Sequence, residues 1–169
     1  SNGDITFTPV ANFNGTASFT YIANTPEGGV TEAKVTLTVR PVNDDPVARN
    51  DDLGLGTNEG QSFTFDPVRL LANDSDIDGD SLVISSLAGD ANLVVETLAD
   101  GSARVSPVGD FFGTAWVNYA INDGNGGTST ATANVTVMPV NDPPVATNDN
   151  ATTNEDTPVR ISVLPNDSD

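Results

Sequence analysis

Apolar and polar residues alternate with a period of two along several stretches of this chain. Residues 114–121 read TAWVNYAI and place Ala115, Val117, Tyr119 and Ile121 on one face. Further on, Ala131, Ala133, Val135 and Val137 alternate with Thr132, Asn134 and Thr136. This periodicity marks half-buried antiparallel strands, apolar toward a core and polar toward water. Residues 62–65, 82–86, 92–98 and 103–106 add further strands, separated by Gly, Asn and Asp turns. No segment carries a sustained helical stripe. About seven short strands with such turns predict an all-β, antiparallel, seven-stranded β-sandwich.

The pattern recurs. Pro41, Val42, Asn43, Asp44 and Pro46 return as Pro139, Val140, Asn141, Asp142 and Pro144, each shifted by 98 residues. Upstream, Gly3, Pro9, Phe13, Gly15, Tyr21 and Asn24 return at the same shift as Gly101, Pro107, Phe111, Gly113, Tyr119 and Asn122. Ala17, Phe19, Tyr21 and Ala23 repeat the inward face of the 114–121 segment. Downstream the shift falls to 96 at Asn58-Glu59 and Asn154-Glu155, and to 93 at Asn73-Asp74-Ser75-Asp76 and Asn166-Asp167-Ser168-Asp169. Loop-length changes between sister domains produce such drift. The chain therefore reads as the back part of one repeat (1–42), a complete repeat (43–140) and the front of a third (141–169), a stretch of a longer tandem array. A repeat of about 96 residues is large enough to bury a modest core unaided. The proline-bounded linkers predict extended, stiff crossings between repeats.

Composition narrows the chemistry. Twenty-four acidic and six basic residues give a formal charge of −18. A nucleic-acid partner needs clustered Lys and Arg, which this chain lacks, and an anionic membrane surface is disfavoured on the same ground. No apolar run approaches the ~20 residues that cross a bilayer. With neither Cys nor His, the chain can build no disulfide, thiolate or imidazole metal site, Ser-His-Asp triad or Cys-His dyad. Divalent cations are the natural partners of so acidic a surface.

The sharpest chemical signal is Asp74-Ser75-Asp76-Ile77-Asp78-Gly79-Asp80, in which Asp alternates over seven residues. Two like charges ~4 Å apart repel by about 1 kcal/mol in water and about 4 kcal/mol at an effective dielectric of 20, so the loop favours a bound cation. Calcium fits best, because it takes six to eight oxygen ligands in flexible geometry. An EF-hand does not fit: with Asp74 at position 1, Ser85 falls where a bidentate Glu belongs, and the flanks are strands. Asn and Asp also cap turns without any ion, so a solvated acidic turn is the competing reading.

Taken together, these phrases resemble the cadherin-like tandem repeats of large bacterial surface adhesins, over essentially the whole chain. The resemblance implies calcium at the joints between repeats. Glu59 in TNEG and Glu155 in TNED look like the early acidic residue, Asp74 with Asp76 and Asp167 with Asp169 like the DxD pair, and Asp123 in INDG like the late aspartate. Asn43-Asp44 and Asn141-Asp142 look like the linker ligands. A first joint would then use Asn43, Asp44, Asp74, Asp76 and Asp123, with Asp78 in the same loop. A second would use Glu59, Asn141, Asp142, Asp167 and Asp169. Pro41 and Pro139 stand where the family's linker begins with an acid, which points to one or two ions per joint rather than three.

The resemblance also implies a non-enzymatic extracellular or cell-surface module that stiffens an adhesin and supports adhesion or biofilm, its partners being neighbouring repeats in the same chain. The alternative is a module binding cell-surface glycans or sister repeats. Trp116 lies on the opposite parity from Val117 and Tyr119, so it should point outward, where an indole can stack on a sugar. Isolated surface apolar residues are, however, ordinary. A two-carboxylate hydrolase is disfavoured because the Asp residues sit in turn and linker phrases that recur at both joints.

Overall fold

The computed structural model of the chain describes residues 3–169. The alternating segments form strands: β1 (Gly15–Asn24), β2 (Val30–Val39), β3 (Asp51–Asn58), β4 (Phe63–Phe65), β5 (Val83–Gly89), β6 (Leu93–Thr97), β7 (Ala103–Pro107), β8 (Gly113–Asn122) and β9 (Thr128–Met138). β3 to β9 are the seven strands of one sandwich. One sheet has the order β3-β9-β8-β5 and the other β4-β7-β6.

The faces read from the alternation meet in the core. Ala115, Val117, Tyr119 and Ile121 of β8 are 0–2% exposed, and Ala133, Val135 and Val137 of β9 lie beside them. Leu93, Ala103, Val105 and Phe65 close the core from the three-stranded sheet. At roughly 25 cal/mol per Å² of apolar area, this burial is the main stabilising term. Phe111 packs against its edge.

Two features depart from the expected antiparallel sandwich. β3 runs parallel to β9, with a register break between Asp51 and Leu55, so the larger sheet is mixed. β3 carries two glycines in DDLGLGTN and lacks the β-branched density of its neighbours, which is why periodicity did not mark it. Between β4 and β5 the chain also forms a 3-10 turn, Pro67–Asn73, capped by Asp66, whose Oδ1 accepts from Val68 N at 3.0 Å. It drives Leu70 fully into the core.

The 98-residue shift recurs in backbone geometry. β1 and β2 form a separate two-stranded sheet whose pairing runs from Gly15↔Val39 to Asn24↔Val30. β8 and β9 pair from Gly113↔Val137 to Asn122↔Thr128, the same ten-pair register 98 residues on. Tyr21 is 43% exposed on its two-stranded sheet, whereas its counterpart Tyr119 is 2% exposed inside the sandwich.

Residues 141–169 form no strand beyond an isolated bridge, Val145↔Ser168. That bridge repeats Val47↔Ser75 of the sandwich. The side-chain bond next to it repeats as well: Arg49 N donates to Asp74 Oδ1 and Thr147 N to Asp167 Oδ1, both at 2.8 Å.

Candidate metal centre

Three segments converge at the end of the sandwich next to β1 and β2. They are the linker around Asn43, the acidic loop before β5 and the turn between β8 and β9. Alternation in the acidic loop places Asp76, Asp78 and Asp80 close together, with one oxygen of each within 4.8 Å of the others. Asp76 organises the loop: its Oδ1 accepts from Asp78 N at 2.8 Å and from Asp80 N at 3.3 Å. Gly79, at φ +82°, supplies the left-handed residue that turns the chain between them. Asp76 Oδ2 is shut off from solvent and has no hydrogen-bond partner. A buried, unpaired carboxylate oxygen beside two further carboxylates is costly unless a cation neutralises it. That donor set, all hard anionic oxygen, fits calcium.

The linker is fastened to this loop. Asp44 N donates to Asp78 Oδ2 at 2.8 Å, and the Asn43 amide donates to Asp123 Oδ2 at 2.7 Å. Asp123, 4% exposed, also accepts from Asn125 N at 2.8 Å and from Gly127 N at 3.0 Å through Oδ1. These donors, Asn43 first, hold its carboxyl below the ordinary carboxylate value despite burial. With both oxygens engaged, Asp123 orders the linker and the β8–β9 turn around the site. Gly127 permits the approach: a Cβ there would collide with the Asp123 carboxylate and lie 2.9 Å from Asp45 Oδ1.

The structure places the remaining sequence-derived candidates differently. Asp74 does not join the trio. Its Oδ1 accepts from Arg49 N at 2.8 Å and from the Tyr119 hydroxyl at 3.3 Å, so it serves the polar end of the core. Conversely, Asp80, which ends the acidic run but is not among the ligands the resemblance implies, belongs to the trio. Its Oδ2 accepts from the Asn125 amide at 2.8 Å. The signal was present, since Asp76, Asp78 and Asp80 continue the same alternation. Asn14, just before β1, lines the same open cleft as Asn43, Asp78 and Asp80.

Where a second joint is expected, Glu59 is buried and its Oε1 accepts from Val140 N, tying the end of β3 to the segment that follows β9. The Asn141 amide folds back on Asp142 O at 2.9 Å, and Asp167 is held by Thr147 N. Asn141, Asp142 and Asp169 are exposed, and these residues are not drawn into one cluster. Trp116 points outward and is 45% exposed, as its parity predicts.

With this geometry in place, the chain can be set beside known proteins. The cadherin-like domain family model matches residues 1–40 and again 42–138. The chain belongs to the cadherin-like domain family. Cadherin-like domains are generally extracellular β-sandwich modules, and among the described residues no helix is long and apolar enough to cross a membrane. No curated protein matches the chain.

Among solved structures, the endo-fucoidan hydrolase MfFcnA4 from glycoside hydrolase family 107 is 21% identical over 78% of this chain and 20% of its own, with a TM-score of 0.35. The related endo-fucoidan hydrolase MfFcnA9 is 20% identical over 77% of this chain and 23% of its own, at a TM-score of 0.31. A nucleoside hydrolase-related hypothetical protein from Saccharophagus degradans, described as associated with carbohydrate metabolism, is 18% identical over 58% of this chain and 26% of its own, at 0.38. The chain thus spans about a fifth to a quarter of the length of these structures. At such scores the likeness carries no argument about activity.

Proposed function

We propose that this chain is a calcium-binding segment of a tandem, extracellular cadherin-like array that stiffens a surface or secreted adhesin. One observation carries the reading: the buried, unpartnered Asp76 Oδ2 beside Asp78 and Asp80, at the place where the linker docks. Asp76, Asp78 and Asp80 would hold the ion. Asp44, whose backbone is already bonded to Asp78, and Asn43 would bring the linker to it. Calcium would supply positive charge where the chain has only carboxylates.

Segments distant in sequence would then be tied at one point, so a joint that bends freely without the ion would hold one angle with it. Because the docked, folded geometry binds and the unfolded chain does not, the ion stabilises by about 2.7 kcal/mol at one hundred times Kd. Extracellular modules of this kind bind at about 10⁻⁴–10⁻³ M, so the site would fill outside cells and empty in a cytosol.

Thermal unfolding of the chain in EGTA, in millimolar calcium and in millimolar magnesium tests the proposal. A calcium-selective rise in Tm, with a longer and narrower ensemble in small-angle scattering, is the expected result. Equal melting in all three buffers would leave an acidic β-sandwich with no ion-dependent joint.

A further inference from the structure

Three Asn-Gly dipeptides occur in the chain, at Asn2, Asn14 and Asn125. Asn2 lies outside the described residues. The other two line the same cleft, together with Asn43, Asp78 and Asp80. Asn-Gly is the dipeptide most open to attack by the following backbone nitrogen on the side-chain amide, because glycine has no side chain in the way and turns freely. Gly15 and Gly126 both hold left-handed φ values, +119° and +112°.

The two sites differ in how firmly the amide is held. The Asn125 amide donates to Asp80 Oδ2 at 2.8 Å, and its backbone N donates to Asp123 Oδ1 at 2.8 Å. Asn14 is exposed, and its side chain makes no hydrogen bond among the described residues. It is therefore free to rotate toward Gly15 N.

We propose that Asn14 is a deamidation site whose product adds a carboxylate to the acidic cleft at the first joint. The Gly15 nitrogen attacks Asn14 Cγ, forming an N–C bond as the Cγ–NH₂ bond breaks. The amide leaves as ammonia, carrying the proton lost by Gly15 N. Water then opens the five-membered imide at either carbonyl, giving aspartate or isoaspartate. The step needs no catalyst or oxidant. A neutral amide becomes an anion in a cleft already lined by Asp78 and Asp80, with Asp44 lining the adjoining one. Without a cation the added charge increases repulsion within the joint, and with one it adds an anionic ligand. The residue at the corresponding place 98 positions on is Phe112, so the device belongs to the first joint alone. The conversion of Asn14 stands by itself, whereas its effect on ion binding rests on the calcium reading above.

The test holds the purified chain in warm, mildly alkaline, calcium-free buffer and follows each Asn-containing peptide by mass mapping over time. Asn14 should convert at least about tenfold faster than Asn125, the factor that one retained hydrogen bond to a charged carboxylate imposes. Cleavage after Phe7 or Phe13 separates Asn14 from the Asn2-Gly3 pair, and Asn14→Gln should remove the signal from the Asn14 peptide. Conversion of Asn14 no faster than Asn125, or no faster than an Asn not followed by Gly, overturns the site. In a second arm, calcium titrations of Asn14→Asp and of the unmodified chain should differ by about tenfold in Kd, since ligand charge sets affinity. Equal affinities overturn the effect on the joint. Calcium binding by neither chain overturns the calcium reading itself, while the mass-mapping result decides the deamidation site separately.

Discussion

The amide of Asn43 donates to Asp123 Oδ2 at 2.7 Å, joining two residues 80 positions apart in sequence. The bond pins the linker to the turn after β8 and lowers the Asp123 pKa. A carboxyl whose folded pKa lies below the ordinary 3.8 contributes stability that is present above 3.8 and is lost as pH falls through the folded value. Asn43→Ala should therefore raise the Asp123 pKa, move acid unfolding to higher pH and lower Tm at neutral pH. Circular dichroism across an acid titration, with the Asp123 carboxyl followed by NMR, measures both. An unchanged acid midpoint would mean that the bond contributes nothing in solution.

Asp76 and Asp74 are two residues apart and should behave differently. Asp76 carries the unpartnered oxygen of the trio. Asp76→Ala should abolish the calcium-dependent rise in Tm while leaving a folded protein in EGTA. Asp74 instead accepts from Arg49 N and Tyr119. Asp74→Ala should lower Tm by similar amounts in EGTA and in calcium, with Kd for calcium changed less than by Asp76→Ala. If Asp74→Ala alone abolished calcium binding, the division of roles between the two aspartates would be reversed.

Tyr119 is buried, and its hydroxyl donates toward Arg49 O at 2.8 Å and Leu70 O at 3.3 Å, with Asp74 beside it. Burial and the neighbouring carboxylates of Asp51 and Asp74 push its pKa upward, so it remains a donor at any ordinary pH. Tyr119→Phe keeps the ring and removes the single hydroxyl proton that these acceptors share, at a cost of about 1–3 kcal/mol. For a domain of this size each kcal/mol is worth about 4–8 °C in Tm. Tyr21→Phe, at the exposed counterpart, should move Tm by far less. Equal losses at the two tyrosines would argue that the hydroxyl bonds are not what stabilises the sandwich.

The inward faces of β8 and β9 were legible because strict alternation leaves little choice of which side is buried. The acidic loop was legible because its carboxylates alternate around a glycine. β3 escaped because its two glycines dilute the pattern, and its partner β9 lies more than seventy residues away. The exchange of Asp74 for Asp80 escaped for a different reason. Both belong to the alternating run, and only the tertiary position of Tyr119 and Arg49 on one side, and of Asn125 on the other, separates them. Spacing identifies a set of carboxylates; packing decides which of them face one another.

Asp51 is 7% exposed, and its Oδ2 has no hydrogen-bond partner. Burial raises its pKa above the ordinary 3.8, Tyr119 opposes the rise, and the Asp74 charge adds to it. The sign is opposite to that at Asp123. A carboxyl with a raised folded pKa favours folding while protonated, and that contribution is lost as pH rises from 3.8 through the folded value. At neutral pH the charged Asp51 therefore opposes folding. Asp51→Asn keeps the shape, removes the charge and offers an amide donor to the Asp74 side of the cluster. It should raise Tm at neutral pH, and the advantage should shrink as pH falls through the raised pKa of Asp51 and the native carboxyl takes up its proton. Melting curves of both proteins across this range give the result directly. A variant less stable than the native chain by the same amount at every pH would show that the Asp51 carboxylate is satisfied in the folded state, and that its burial carries no electrostatic cost.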